Sequence, residues 1–516
     1  MNDLSSQAAA APPVRRWLGF PKGAWLIIGV EFWERFSFYG MLSILALFLT
    51  ALPSNGGFGW SAAESLALLG VYTFAMYAFP AVGGYIADRI LGRRRAVAIG
   101  ATFMLVGQIL LSSPVFLPEI LGWLHGAPLL RALRGLGVPL GRWVGSSAVE
   151  AAASSRGPSL DAHAGVAWLK QAYAACSLGF YSALLCLIVG NALMKSTLVV
   201  LCGETMDPSD PRREAAFAYY YLGISVGAML SGFVVGIVAQ AFGWHFGFMV
   251  AAGGMAIALG FYLALSKQWL GAIGLPPDRT RPRRSSAGGA SQVRAQAPGE
   301  APRRVALLFV LALLLCAFSI GWFQLFGSWL LFIEGHVDRA VGRFAVPVPW
   351  FTSINAAVVI GLAPLIAALW VRLGERNRAL DIVQKYTFAL AMVTAANGLF
   401  YLSARHAIPP VQASVWLPLV SLALIAAGEL VAWTGTYGVV SRAAPVGFAS
   451  VAMGFWYLLT LGLGGYLSGF AGRLVDSFGF ATAFLSITGF TGVVFVLAIF
   501  LRAPLARLAA RAGVSL

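Results

Sequence analysis

Apolar stretches of roughly 20 to 30 residues recur along the chain and alternate with shorter polar segments. A helix rises 1.5 Å per residue, so about 20 residues cross a hydrocarbon core of roughly 30 Å. Few of these stretches contain a charge, which favours helices that cross a membrane. The pattern predicts twelve such helices, at approximately residues 24–51, 62–87, 96–117, 171–202, 214–241, 245–266, 304–333, 351–373, 383–404, 413–440, 447–475 and 479–502.

Two longer polar segments interrupt the alternation. Residues 267–303 are rich in Pro, Ser, Ala, Gly and Arg, which is typical of a flexible linker, and they separate six predicted helices from six. Residues 118–170 form a loop insertion on the opposite, outer side, and a short interfacial helix near 129–144 is one of two alternatives for it. We therefore predict a cytoplasmic N-terminal segment (1–23), an N-terminal six-helix bundle carrying the insertion (24–266), a cytoplasmic linker (267–303), a C-terminal six-helix bundle (304–502) and a cytoplasmic tail (503–516).

The composition is that of a membrane protein. Hydrophobic residues make up 59% of the 516 residues, charged residues only 11%, and the mean hydropathy is +0.79. A soluble protein would carry about 25% charged residues. The sequence thus predicts an all-α, multi-pass integral membrane protein that has membrane lipid as a partner.

The positive charge is distributed unevenly along the chain. The formal net charge is +16, but the arginines concentrate in short loops on one side of the predicted helices, as cytoplasmic loops do. This favours the inner (cytoplasmic) membrane with both termini in the cytoplasm, and it argues against a nucleic-acid partner. The arginines in question are Arg93, Arg94, Arg95, Arg212, Arg213, Arg372, Arg376, Arg378, Arg442, Arg507 and Arg511.

Three charged residues lie inside the first apolar stretch. Glu31, Glu34 and Arg35 are three and four positions apart, so a helix places them on one face. A charge at bilayer depth costs roughly 2.5 to 3.5 kcal/mol. We therefore expect the three residues to pair with one another and to face a polar cavity rather than lipid.

The loop after the second predicted helix reads G-G-Y-I-A-D-R-I-L-G-R-R-R, from Gly83 to Arg95. This segment resembles the signature of the loop between the second and third helices in the major facilitator superfamily. The resemblance implies the fold of that superfamily, twelve transmembrane helices in two six-helix bundles with a binding site between the bundles. The residues expected to form this structural loop motif are Gly84, Asp88, Arg89, Gly92, Arg93 and Arg94.

The stretch E-F-W-E-R-F-S-F-Y-G, from Glu31 to Gly40, resembles the proton-dependent oligopeptide transporter (POT) family. Shorter matches follow in the order expected for that family, at residues 190–195, 217–227, 351–355 and 428–430. The resemblance implies a symporter that uses protons as its coupling ion, with no other cofactor. We expect Glu31, Glu34 and Arg35 to couple transport to protons, and the resemblance implies that Lys195 and Glu429 can pair in the empty carrier. The implied substrate-binding residues are Tyr39, Lys195, Ser225, Gln324, Asn355 and Glu429.

The chain also departs from the pattern of this family. An arginine usually stands where this chain has Leu42, and an acid where it has Phe323; in relatives these two positions can form a salt bridge that helps to close the outer gate. Losing one partner strands a charge, whereas replacing both by apolar groups can be neutral or stabilising. The joint loss predicts a hydrophobic gate. Ser225 replaces an Asn that binds peptide backbone in relatives.

The surviving charges fit proton-coupled transport of a zwitterion. Desolvation favours a neutral carboxyl group and a nearby cation favours a carboxylate, so a small rearrangement can load or release a proton. Lys195 is the expected anchor for a substrate carboxylate and Glu429 for an ammonium. The function predicted first is inward proton symport of di- or tripeptides or similar zwitterionic solutes by alternating access. Two alternatives remain: a carrier of another solute, such as a modified peptide, a peptide-derived metabolite or an anion, working inward or as an exporter, and a nutrient sensor that binds without transporting.

An enzyme is not expected, and no catalytic residue is assigned. The five histidines lie in loops or at predicted helix ends, and no pair has the spacing of metal ligands. The four cysteines lie in or beside apolar stretches without a metal-binding spacing, so no metal site is predicted. The oligomeric state stays open, and a monomer is compatible with the sequence.

Overall fold

The structure is a computed structural model that describes residues 16–52, 55–112, 162–207, 210, 212–275, 300–376, 378–407, 411–444 and 449–514. These residues are nearly all helical. Besides connecting loops, the described residues include two small antiparallel hairpins: β1 (Arg16–Trp17) pairs with β2 (Phe20–Pro21), and β3 (Ala340–Val341) pairs with β4 (Phe344–Ala345).

Local sequence signals set several helix starts in the first half of the chain. Ser61 and Glu64 form a capping box at the start of the second helix, each side chain accepting a hydrogen bond from the backbone N–H of the other. Pro80 begins the next helix, at a position where the missing N–H is not needed. The helices are α1 (Lys22–Thr50), α2 (Ala62–Ala78), α3 (Pro80–Ile86), α4 (Arg93–Ser112), α5 (Ala162–Glu204), α6 (Arg213–Phe242) and α7 (Trp244–Leu270), and a π-helical turn at Ala87–Leu91 follows α3.

The helices of the second half include three irregular regions. A 3-10 turn (Phe323–Phe326) follows α8, a π-helical turn (Leu458–Gly462) joins α13 to α14, and Gly479 (φ 80°) bends the last helix. Asp381 and Gln384 form the capping box of α11. The helices are α8 (Glu300–Trp322), α9 (Ser328–His336), α10 (Trp350–Glu375), α11 (Ile382–His406), α12 (Trp416–Ala443), α13 (Ala449–Tyr457), α14 (Leu463–Ser468) and α15 (Ala471–Arg511).

The predicted number of membrane crossings can be compared with these helices. Eleven segments of the described chain are long and apolar enough to cross a membrane. The predicted eleventh crossing, residues 447–475, corresponds to the interrupted run of α13, the π-helical turn and α14 together with the start of α15.

Two helices extend beyond the predicted membrane crossings. Helix α5 begins at Ala162, inside the predicted insertion 118–170, and α15 continues to Arg511, through most of the predicted tail 503–516. Hydropathy reports where apolar residues end, whereas the hydrogen bonds of a helix can continue beyond that point. Residues 113–161, and with them the possible interfacial helix, lie outside the described residues, as do residues 1–15 and most of the linker, 276–299.

Two arginines at the start of α8 hold the end of α15. Arg304 Nε donates a hydrogen bond to the carbonyl oxygen of Ala512 over 3.0 Å. Arg303 Nη1 donates a longer one to the carbonyl of Arg511, at 3.5 Å. This clasp, formed by Arg303 and Arg304 on the carbonyls of residues 511 and 512, satisfies carbonyls that the end of a helix leaves without an intrahelical donor.

Helices α4 and α5 approach closely through small residues. A Cβ added to Gly100 would lie 2.8 Å from the carbonyl oxygen of Gly190 and 2.8 Å from Met194 Cγ. Such close contact is the usual role of small residues between membrane helices, where packing replaces the hydrophobic effect. It fixes α5, which carries Lys195, against the rest of the N-terminal half.

Hydrogen bonds join the two halves at one end of the molecule. Asp476 Oδ2 accepts from the backbone N–H of Ala63 over 2.8 Å, Gln240 Nε2 donates to the carbonyl of Ala345 over 3.2 Å, and Trp350 Nε1 donates to the carbonyl of Phe233 over 3.1 Å. Ala63 begins α2, whereas the arginine-rich loop follows the far end of the same helical run. The halves are therefore fastened together at the end opposite the arginine-rich loops.

Candidate functional site

The three charged residues of α1 form one buried cluster. The exposed fractions of Glu31, Glu34 and Arg35 are only 3%, 1% and 5%. Arg35 Nε lies 3.0 Å from Glu31 Oε1 and 2.5 Å from Glu34 Oε2. The expectation that these residues pair with one another agrees with this geometry, since one guanidinium lies between two carboxylates.

The cluster retains places where a proton can bind. Glu31 Oε2 and Glu34 Oε1 are buried and have no hydrogen-bond partner among the described residues. Tyr220, a buried residue of α6, lies close to the Glu31 side chain. A carboxyl oxygen that lacks a donor in an apolar setting can gain an interaction by taking up a proton, because unpaired buried charge is costly. The arrangement can therefore hold or release a proton when its geometry changes.

Lys195 of α5 is half-buried and lies against an aromatic ring. Its Nζ is 3.8 Å from the centroid of the Tyr77 ring, the distance of a cation–π contact. In the described part of the chain no carboxylate forms an ion pair with Lys195, since Glu31 and Glu34 both pair with Arg35. The expected pair with Glu429 is thus not present, and the two residues have separate partners.

Glu429 of α12 is held by two N–H donors of its own half. Trp322 Nε1 at the end of α8 donates to Glu429 Oε2 over 2.9 Å, and Asn355 Nδ2 of α10 donates to the same oxygen over 3.4 Å. The Glu429 side chain is half-buried. Asn355 Oδ1 is buried without a partner among the described residues, so it is free to accept a hydrogen bond from another molecule.

A small aromatic cavity lies between the halves, next to Tyr39. About 10 Å³ is open to the centre of a water molecule, which is the space of a single water. Tyr39 stacks on Phe326, with ring centroids 5.9 Å apart. The lining residues are Phe38, Tyr39, Leu42, Tyr72, Thr73, Met76, Tyr77, Trp322, Phe323 and Phe326.

Both residues of the predicted hydrophobic gate line this cavity. Leu42 is 4% exposed and Phe323 is 6% exposed, so neither position could carry a charge that water would solvate. Trp322 packs edge to face on Phe323, with centroids 4.9 Å apart. The two positions at which relatives can place a salt bridge are here part of one closed, apolar contact between α1 and the end of α8.

Two of the predicted substrate-binding residues have their polar groups occupied elsewhere. Gln324 donates to the carbonyls of Ile320 and Ser468 and accepts from Ser328, all within the C-terminal half. Ser225 donates to the carbonyl of Tyr221, one turn earlier in α6. Neither residue lines the cavity. Gln324 therefore links the 3-10 turn to the end of α14, whereas the bond of Ser225 stays within α6.

The loop motif forms an ion-pair network at the arginine-rich end. Asp88 Oδ1 lies 2.7 Å from Arg93 Nε, and Arg93 also pairs with Glu204 at the end of α5. Gly92, at φ 77°, supplies the left-handed conformation that turns the chain into α4. The network ties the loop to α5. The remaining motif residues support it: Arg94 Nη1 donates to the carbonyl of Gly271, Arg89 lies over the Tyr85 ring, and Gly84 lies against Ser196.

Sequence reasoning missed three residues of these clusters. Trp322 counts as apolar in a hydropathy scan, yet an indole N–H inside a membrane needs an acceptor, and this need is a usable signal. Tyr220 lies within a quoted motif but its partner is on another helix. Glu204 stands 111 positions from Arg93, so their spacing carries no local signal. Among the described residues no group of three or more His, Cys, Asp or Glu could hold a metal ion.

The chain resembles known proteins in both sequence and structure. The profile of the family described as "POT family" matches residues 94–275 and 286–486. "Uncharacterized transporter YclF" of Bacillus subtilis is 24% identical over 86% of each chain. "Peptide transporter YePEPT" of Yersinia enterocolitica is 24% identical over 90% of each chain.

A solved structure resembles the whole fold. The crystal structure of "peptide transporter POT in complex with sulfate" superposes with a TM-score of 0.76, at 22% identity, over 96% of this chain and 97% of the other. The likeness shows the same helical fold, and together with the family match it confirms the predicted fold class, that of the major facilitator superfamily.

Proposed function

The chain belongs to the POT family of transporters, and we propose that it is a proton-coupled symporter of di- or tripeptides or peptide-like zwitterionic solutes. It is an integral membrane protein with many membrane crossings. The relative from Yersinia is named a peptide transporter, which supports a peptide-like solute for this chain. We further propose that the protein lies in the inner membrane with both termini in the cytoplasm, because its arginine-rich loops lie at one end, and that it transports solute inward.

One observation carries the proton-coupling proposal, namely the buried pairing of Arg35 with Glu31 and Glu34 on α1. Together with Lys195 and Glu429, the deep ionisable residues comprise three carboxylates and two cations. The set is negative by one charge when all are ionised, so one proton makes it neutral. A neutral set of residues lowers the free energy of the occluded state, in which the carrier is closed on both sides, because an uncompensated charge in a dry interior is costly.

Alternating access supplies the transport step. The halves are fastened at the end opposite the arginine-rich loops by the bonds of Ala63 to Asp476 and of Phe233 to Trp350. Rocking of one half against the other would break these bonds and open the aromatic cavity toward that end. In this proposal a substrate carboxylate binds near Lys195, and the opposite end of the substrate lies near Glu429 and Asn355.

A carrier of a different solute is the second candidate. Leu42 and Phe323 are both buried and apolar, so the site lacks a cation and an acid that relatives can use. A modified peptide, a peptide-derived metabolite or another anion needs fewer charged contacts than an ordinary dipeptide. Transport outward belongs to this second candidate.

Uptake into proteoliposomes tests the first candidate. Purified protein should accumulate radiolabelled dialanine when the lumen is alkaline relative to the outside, and a protonophore should abolish the accumulation. Glu34→Gln should lose uphill accumulation but keep part of the counterflow, because the substitution removes the titrating group and leaves the cavity intact. Glu334→Gln is the matched control, since Glu334 is an exposed residue whose carboxylate pairs with Arg339.

The outcomes separate the proposals. Uphill uptake that Glu34→Gln leaves unchanged would refute the proton role of the cluster. Folded protein that gives no dialanine uptake or counterflow would refute the peptide assignment and favour the second candidate. Ligand-induced thermal stabilisation without counterflow would indicate a sensor.

A further inference from the structure

Glu429 and Lys195, the two charged residues expected to bind substrate, differ in how well their charges are satisfied by other residues. Glu429 Oε2 already accepts hydrogen bonds from Trp322 Nε1, at 2.9 Å, and from Asn355 Nδ2, at 3.4 Å. Lys195 has the Tyr77 ring at 3.8 Å and no ion-pair partner in the part of the chain that the structure describes. The acid is thus satisfied within its own half, whereas the base is not.

This difference between Glu429 and Lys195 affects the binding free energy that a ligand ammonium or carboxylate can contribute. Hydrogen bonds to a charged group are stronger than those between neutral groups, so the two donors stabilise the Glu429 carboxylate without a cation. A ligand ammonium must give up its own hydration to approach a carboxylate that is already satisfied. A ligand carboxylate, in contrast, supplies the counter-charge that Lys195 lacks.

The groups beside Glu429 suit a neutral N–H. Asn355 Oδ1 is buried and has no partner among the described residues, so it can accept one hydrogen bond. An amide N–H offers one donor, whereas an ammonium has three donors to satisfy. Phe323 and Phe326, which both pack against Trp322, are apolar, so a cavity that widens there on opening would offer an acyl group an apolar wall.

We propose that Trp322 determines specificity by occupying Glu429, so that the carrier takes peptide-like carboxylates whose amino group is acylated. This proposal rests on the proposed proton-coupled transport and deepens its second candidate, because it names an N-acylated, hence modified, peptide as the substrate class of the same site. Trp322 stands directly before Phe323, the position at which relatives usually have an acid. This part of the site therefore has an indole N–H donor and lacks the additional carboxylate. The indole thereby substitutes for the ligand ammonium.

Competition between two probes tests the proposal. Dialanine and N-acetyl-dialanine differ only in the acetyl group, and the measurement is the ratio of their dissociation constants for purified full-length protein. We expect wild type to bind N-acetyl-dialanine at least as tightly as dialanine. Trp322→Phe should shift the ratio about tenfold toward dialanine, the size of one lost hydrogen bond to a charged group, because an ammonium then replaces the missing donor.

The matched control is a second tryptophan, one turn beyond the 3-10 turn Phe323–Phe326. Trp329 is fully buried and donates its indole N–H to Asn397 Oδ1 over 3.2 Å, away from the cavity. Trp329→Phe removes the same type of bond, so we expect lower stability but an unchanged ratio of dissociation constants. A ratio is independent of the amount of active protein, so a purely structural role for Trp322 would not move it.

Each result decides the proposal. Wild type that binds and transports dialanine but binds N-acetyl-dialanine tenfold more weakly would overturn it and leave the proposed function standing, and this measurement needs no variant. An unchanged ratio in folded Trp322→Phe would also overturn it. Folded protein that binds neither probe would overturn the proposed function and this proposal together.

Discussion

The loss of stability caused by a charge at the hydrophobic gate, formed by Leu42 and Phe323, reports whether water reaches the contact between the halves. Leu42 on α1 and Phe323 after α8 are 4% and 6% exposed and line the same small cavity. Leu42→Arg places a guanidinium there without a partner, and Phe323→Glu places a carboxylate there without one. The double variant introduces both charges together, as a salt bridge of the kind that relatives can form.

The structure sets the expected magnitudes. The cavity has room for about one water, about 10 Å³, so neither new charge can be solvated while the halves remain closed. An unpaired buried charge costs about 3–5 kcal/mol, and we expect each single variant to lose that much free energy of unfolding. In the double variant the charges compensate each other, so its loss should be smaller than the sum of the single losses by about 1–3 kcal/mol.

The assay is unfolding with sodium dodecyl sulphate in mixed micelles, applied to wild type, both single variants and the double variant. Leu42→Met is the control, because it keeps the volume and adds no charge, and it should cost less than about 1.5 kcal/mol. Single variants that lose under about 1 kcal/mol would show that water reaches the gate. Strict additivity in the double variant would show that the two side chains do not meet. Either result would refute the reasoning.

Three further predictions concern other parts of the molecule. Lys195→Met should weaken the binding of dialanine at least tenfold in a competition assay. The C-terminal amide of dialanine, which lacks the carboxylate and should bind wild type more weakly, should bind the variant as it binds wild type; equal losses for both ligands would contradict a carboxylate-binding role. Asp476→Asn should weaken the bond to the Ala63 N–H (2.8 Å), cost about 1 kcal/mol and make Leu42→Cys more reactive toward a membrane-impermeant maleimide; unchanged labelling would contradict a latch. Gly100→Val should cost about 1–3 kcal/mol by forcing α4 from α5, whereas Gly260→Ala, where nothing lies within 4 Å, should be neutral; thermal unfolding in detergent distinguishes them, and equal effects would contradict the close packing.

The helices and the α1 cluster could be predicted because their signals are local. A run of about 20 apolar residues is sufficient to indicate a crossing. Spacings of three and four place Glu31, Glu34 and Arg35 on one face before any neighbour is known. The structure agrees with the predicted helices and with the clustering of the three charged residues. Leu42 and Phe323 are also buried together, as expected if an apolar pair replaces a pair of charges.

The contacts that depend on distant segments could not be predicted. The bond between Trp322 and Glu429 spans 107 positions, and which of several polar groups reaches Glu429 depends on how α8, α10 and α12 pack. The expected pairing of Lys195 with Glu429 rested on resemblance, and in this structure it is replaced by an aromatic contact on one side and N–H donors on the other. Charge alone does not reveal that each residue has a nearer partner.

The clasp between the start of α8 and the end of α15 limits where the chain can be shortened. A version ending near Leu501, where the apolar residues of the last crossing run out, would remove the carbonyls of residues 511 and 512 that Arg303 and Arg304 bind. The first turn of α8 would then lose its anchor, and the buried core residues Leu505, Ala509, Ala512 and Val514 would be deleted with it. Affinity tags and reporter fusions therefore belong after Val514, beyond the last hydrogen bond of the helix end.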